Sequence, residues 1–77
     1  MNIEIYTKDF CIWCDSAKAL LGSKDLKFTE IDISNDVARS KFYSNVGEGV
    51  KTVPQVFIEG KRIGGYQELV TWFSNGI

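Results

Sequence analysis

The chain has 77 residues, 44% of them hydrophobic and 13% aromatic, and a net charge of −1. That is enough apolar material for one packed core and too little chain for two, so a single domain over residues 1–77 is expected and disorder is excluded. A near-neutral balance with no block of like charges removes nucleic acid and anionic membrane surfaces as default partners, and no run approaches the roughly 20 apolar residues of a membrane span.

The opening residues, Met1 to Ile5, lack the basic start and long apolar run of a secretory leader, so a reducing cytoplasm is the expected compartment. Ile3 and Ile5 alternate with Glu4 and Tyr6, which predicts a short strand over residues 2–6, followed by a loop over 7–10. Residues 12–23 read as a helix, with Ala17, Leu20 and Leu21 on one stripe, Lys18 opposite and Gly22 at the exit. Lys27 to Asp32 reads as a second strand, with Phe28, Ile31 and Ile33 as its apolar set. Strand, helix and strand within about 30 residues make a βαβ unit with parallel strands.

Ser34 or Asn35 then caps a helix over residues 36–46, carrying Val37, Ala38, Phe42 and Val46 and ended by Gly47-Glu48-Gly49. Gln55 to Ile58 is a β-branched and aromatic strand opened by Val53-Pro54. Glu59-Gly60 is a turn, and Lys61 to Ile63 return as a hairpin partner. Gly64-Gly65 breaks the chain before a last helix over about residues 67–74, whose apolar side is Leu69, Val70, Trp72 and Phe73. The order β-α-β-α-β-β-α implies an α/β fold with a four-stranded mixed sheet and helices on both faces.

The two cysteines, Cys11 and Cys14, are two residues apart at the first strand-to-helix junction. In a reducing compartment such a lone pair is more often catalytic or metal-binding than a structural staple. A structural zinc needs four ligands, usually Cys or His, and this chain has two Cys and no His, so a self-contained zinc site is excluded. What remains is redox chemistry. Cys11 falls at the helix N-terminus, where free N–H groups and the helix dipole favour an anion and can bring a thiol pKa from about 8.5 into the range of about 3.5–7.5. Only the thiolate attacks a disulfide. Cys14 lies on the same face inside the first turn, placed to resolve a mixed disulfide on Cys11. Asp9 and Asp15 oppose the thiolate, and Lys8 favours it.

Val53-Pro54 opens a strand where the missing proline N–H is not needed. It is either an ordinary edge proline or a cis bond that exposes the Val53 backbone to a peptide-like substrate. Gly64-Gly65 is either a simple turn or a close-approach site whose free N–H groups at Tyr66 and Gln67 would take a carboxylate. Trp13 either covers the helix start or forms a ligand platform. Arg39 and Lys41 read as solvated charges or ligand contacts.

Ile5-Tyr6-Thr7-Lys8, Cys11-Ile12-Trp13-Cys14, Ala17-Lys18-Ala19-Leu20-Leu21, Thr52 to Ile58 and Ile63-Gly64-Gly65-Tyr66 stand together in one order and spacing. In these pieces the chain resembles the dithiol glutaredoxins over essentially its whole length. The resemblance implies a thioredoxin-like fold with a cis Val53-Pro54 bond, and a monomeric glutathione-dependent oxidoreductase. Cys11 would attack protein disulfides and glutathione mixed disulfides, with Cys14 resolving the former. It further implies that Lys8 and Arg39 meet the glycine carboxylate of glutathione. Thr52, Val53 and Pro54 would hold its cysteinyl backbone, Trp13 would flank it, and Gly65, Tyr66 and Gln67 would hold the γ-glutamyl end.

Two departures bear on this. Ile12-Trp13 replaces the Pro-Tyr common in the family, and Gln67-Glu68 stands where Asp is common. Two alternatives follow from the same resemblance. One is a redoxin reduced by thioredoxin reductase that serves ribonucleotide reductase. The other is a [2Fe–2S] module in which two chains bridge a cluster through Cys11 and two glutathiones, giving four thiolates.

Overall fold

The computed structural model describes residues 1–75. β1 (Ile3–Thr7), α1 (Ile12–Ser23), β2 (Thr29–Asp32), α2 (Asp36–Val46), β3 (Gln55–Ile58), β4 (Lys61–Gly64) and α3 (Tyr66–Ser74) follow the expected order. The strands form one mixed sheet, β2-β1-β3-β4, with β1 parallel to β2 and antiparallel to β3, and β3 antiparallel to β4. This is the four-stranded mixed sheet with three helices expected of a thioredoxin-like fold.

The two sheet faces follow from alternation along β1. Ile3, Ile5 and Thr7 point to one side and are buried. Across the antiparallel pairing Ile3 meets Ile58 and Ile5 meets Val56. Ala17 and Leu21 of α1 and Leu69 of α3, all fully buried, close this main core. Tyr6 points to the other face, where its ring stacks on Phe42 of α2 at 4.1 Å and meets Phe57 edge-on at 5.5 Å. α2 buries no residue completely, and Val37, expected on its apolar side, is exposed instead. On this face α2 meets the sheet chiefly through Phe42, whose ring contacts both Tyr6 and Phe57.

Among the strand boundaries that differ from the expectation by one or two residues, two have clear local reasons. Thr7, expected in a loop, ends β1: its carbonyl accepts from Ile33 N–H at 2.7 Å and its hydroxyl donates to Glu30 Oε2 at 2.7 Å. β2 begins at Thr29 rather than Lys27, because the parallel register with β1 starts at Glu4↔Thr29. Phe28 packs onto the core from the preceding loop. The hairpin between β3 and β4 turns through Glu59 and Gly60, both with positive φ (52° and 80°), the geometry that follows strand twist and suits glycine at its second position.

Candidate active site

The β1–α1 loop brings Cys11 to the N-cap of α1 with extended backbone (φ −122°, ψ 100°). Its Sγ takes the place a serine or aspartate oxygen would hold and accepts from Cys14 N–H at 3.1 Å. That donor, with the positive end of the helix behind it, stabilises negative charge on sulfur. Cys14 follows inside the first turn and is 1% exposed, whereas Cys11 is half-buried. The two sulfurs are joined as a disulfide, with Cα atoms 5.2 Å apart. The division expected from spacing, an accessible sulfur and a sheltered one, is therefore present.

Val53-Pro54, in a cis bond as expected, lies against this sulfur pair: the Val53 carbonyl oxygen is 3.8 Å from Cys11 Sγ. Val53 precedes the strand ladder, which begins at Gln55. A groove of about 410 Å³ runs beside the sulfur, lined by Trp13, Thr52, Val53, Pro54, Gly65, Tyr66, Gln67 and Glu68. The Trp13 and Tyr66 rings approach to 5.4 Å between centroids, so an exposed indole from α1 and a phenol from α3 meet across one end.

The far wall is the start of α3. Gly65 is its N-cap and provides no capping side chain; its own N–H donates to Glu68 Oε1 at 2.8 Å. The first N–H groups of a helix have no intrahelical acceptor, which leaves Tyr66 and Gln67 as donors at the groove. Gly64 makes the close approach possible. Its φ is +126°, and a Cβ there would lie 2.7 Å from Glu68 Cγ.

The structure thus brings Cys11, Cys14, Trp13, Thr52, Val53, Pro54, Gly65, Tyr66 and Gln67 into one region. Lys8 and Arg39 do not line the groove. Lys8 is exposed on the β1–α1 loop. Arg39 lies at the start of α2, where its guanidinium donates to the Ser34 carbonyl at 2.8 Å and the Ile33 carbonyl at 3.3 Å and pairs with Asp36.

Sequence reading missed the support under Thr52. Gln55, 4% exposed, donates through Nε2 to the Thr52 carbonyl at 3.1 Å and accepts from Arg62 Nη1 at 3.3 Å. Arg62 also reaches Glu48 Oε2 at 3.3 Å. The one signal for this set of contacts was a polar residue opening an otherwise apolar strand. Linking β2 to β1 and α1, Glu30 accepts from the Thr7 hydroxyl at 2.7 Å and from Lys18 Nζ at 3.0 Å. The Thr7 hydrogen bond first, and then Lys18, hold its carboxyl below the ordinary value.

A family model described as glutaredoxin matches residues 3–63. Glutaredoxin 3 of Escherichia coli is 41% identical over 75 residues, covering 97% of this chain and 89% of that protein. The crystal structure of glutaredoxin 1 from Francisella tularensis complexed with cacodylate has a TM-score of 0.89 at 32% identity, covering 96% of this chain and 93% of that one. The crystal structure of a buckwheat glutaredoxin–glutathione complex has a TM-score of 0.83 at 26% identity, covering 96% of this chain and 69% of that one.

Proposed function

The chain belongs to the glutaredoxin family, whose chemistry is thiol–disulfide exchange, and on that premise we propose that it is a glutathione-dependent oxidoreductase acting on protein disulfides and glutathione mixed disulfides. The observation that carries this reading is the position of Cys11: an N-cap sulfur bonded to a sheltered Cys14, 3.8 Å from the Val53 carbonyl and beside a groove with free helix N–H groups at its end. The buckwheat complex, similar over nearly all of this chain, contains glutathione itself.

In the proposed cycle the Cys11 thiolate attacks the glutathionyl sulfur of a mixed disulfide. The substrate leaves as its thiolate and takes up a proton from solvent. A second glutathione thiolate attacks the glutathionyl sulfur now on Cys11, giving glutathione disulfide and restoring the Cys11 thiolate. With a protein disulfide, Cys11 attacks one sulfur and releases the other as a thiolate. Cys14 then attacks Cys11 Sγ, the second protein thiolate leaves, and the chain is left as the Cys11–Cys14 disulfide, the state of this structure. Two glutathiones reduce it.

In this reading Thr52 and Val53 pair with the cysteinyl backbone of glutathione, Tyr66 and Gln67 N–H groups take the γ-glutamyl carboxylate, and Trp13 covers the peptide. Lys8 and Arg39 supply positive charge for the glycine carboxylate, Arg39 by exchanging a carbonyl contact. The reductant implies a reducing cytoplasm.

The test is a coupled assay with glutathione, glutathione reductase and NADPH on the mixed disulfide of glutathione and mercaptoethanol, beside a thioredoxin reductase control. Cys14→Ser is expected to keep this turnover and lose reduction of protein disulfides, while Cys11→Ser loses both. Activity surviving in Cys11→Ser, or NADPH consumption only with thioredoxin reductase, overturns the assignment.

A further inference from the structure

Phe10, immediately before the attacking cysteine, combines two features that packing does not account for. Its backbone sits at φ +56°, a left-handed conformation that is unfavourable for a bulky aromatic residue. Its ring is wholly exposed, at 104%. Neither the core nor the groove gains from this side chain. Ile12, on the other side of Cys11, is also open at 73%.

These two side chains lie outside the groove. Trp13 is among its lining residues and faces Tyr66, while Phe10 and Ile12 are not among them. Cys11 is therefore flanked in sequence by two exposed apolar side chains that take no part in lining the groove, and these form an open rim. The neighbouring charges, Lys8, Asp9 and Asp15, are of mixed sign, so no single-sign field dominates that rim.

We propose that Phe10, assisted by Ile12, is a specificity-determining contact for polypeptide disulfides that carry an apolar residue next to the attacked cysteine. This rests on the thiol–disulfide reading above. A glutathionyl group held in the groove does not reach the rim, and a small alkyl thiol has nothing beyond its sulfur to place there. A polypeptide has residues on both sides of its cysteine, spaced about 3.3–3.6 Å per residue when extended. With its sulfur at Cys11, its nearest side chains fall at the distance of Phe10 and Ile12, which are themselves Cys11's sequence neighbours. An exposed aromatic ring held in a strained backbone at that point favours an apolar partner side chain, which removes both surfaces from water.

The experiment uses twin peptides, each with one intramolecular disulfide, differing only in leucine or serine beside the attacked cysteine. They are assayed with the glutathione-coupled system alongside the mixed disulfide of glutathione and mercaptoethanol. Wild type is expected to favour the leucine twin in kcat/KM by about fivefold, the scale of partial burial of one leucine against one ring. Phe10→Gly, which relaxes the backbone, should reduce that preference to about one without changing turnover of the serine twin or the small mixed disulfide. Phe10→Tyr should restore the preference.

Equal turnover of the twins by wild type, or a preference that survives in Phe10→Gly, overturns the proposal. So does a concentration-dependent dimer of the wild type that Phe10→Gly disperses, since the rim would then belong to a second copy. A wild type that turns over neither peptide nor the mixed disulfide defeats the functional reading itself, and this proposal with it.

Discussion

Gln55 offers the sharpest test of how the groove is held. Its Nε2–H bond to the Thr52 carbonyl, at 3.1 Å, is the only direct tie of that carbonyl to the sheet among the described residues. Its contacts to Thr52 Oγ1 and from Arg62 Nη1, at 3.4 and 3.3 Å, are longer and correspondingly weaker. One ordinary hydrogen bond contributes about 1 kcal/mol and a long charge-assisted one adds about half as much, so Gln55→Leu should lose about 1–1.5 kcal/mol of stability. In a domain of this size that lowers Tm by roughly 5–10 °C. The larger interest lies in Gln55→Glu. A carboxylate keeps the acceptor for Arg62 and loses the donor for Thr52, so it separates fold from function. If Thr52 and Val53 are held in place by that donor, Gln55→Glu should lose about 1 kcal/mol with the Thr52 bond and regain part of it through a charged pair with Arg62, so its Tm should fall by less than that of Gln55→Leu. Its kcat/KM for the glutathione mixed disulfide should nevertheless fall about 5–10-fold, because about 1–1.4 kcal/mol of positioning is lost. Thermal melts and the glutathione-coupled assay at one pH are sufficient. Full activity in Gln55→Glu would refute the argument, whatever its effect on Tm.

Gly64→Ala should destabilise the fold by about 2–4 kcal/mol, since a side chain at positive φ and an overpacked contact with Glu68 act together. Gly65→Ala, whose new Cβ would meet neighbours only at 3.4 Å, should leave Tm nearly unchanged in the same melts. Glu30 provides a pH test. Its carboxyl lies below the ordinary value of 4.5, so its stabilising contribution is complete above that value and is lost as pH falls through the lower folded one. Thr7→Val removes the first cause of that depression. The Tm gap between the two proteins should be widest near neutral pH and close in acid; a gap that stays constant to about pH 3 contradicts the assignment.

Much of the fold was legible because local patterns and long-range pairing agree. Ile3 and Ile5 alternate in sequence, and both are buried against Val56 and Ile58. Ala17 and Leu21 share a helical stripe and fill the same core. The pattern misled where a residue's fate depends on how much surface needs covering. Val37 sits on the apolar side of its helix by periodicity, yet α2 meets the sheet mainly through Phe42, and Val37 is left in solvent. Likewise Thr7 is polar and next to a loop, but Glu30 from the neighbouring strand satisfies its hydroxyl and allows it to be buried.

The site divides along the same line. Cys11, Cys14, Val53-Pro54 and Gly64-Gly65 announce themselves because each has a backbone or covalent reason for its residue type, and such reasons are written locally. Arg39, Gln55 and Phe10 have no such local reason. Arg39 looks like a free cation until the Ile33 and Ser34 carbonyls are seen beneath its guanidinium. Gln55 looks like a polar interruption until Thr52 and Arg62 close around it. Phe10 is simply part of a loop by pattern, and only the fold shows its backbone at positive φ and its side chain wholly exposed. For these residues the chemistry resides in a partner or a dihedral angle, neither of which a residue type specifies. Reactive and backbone-constrained groups can therefore be read from sequence in this protein, whereas the contacts that support the groove from outside its lining are visible only once the chain is folded.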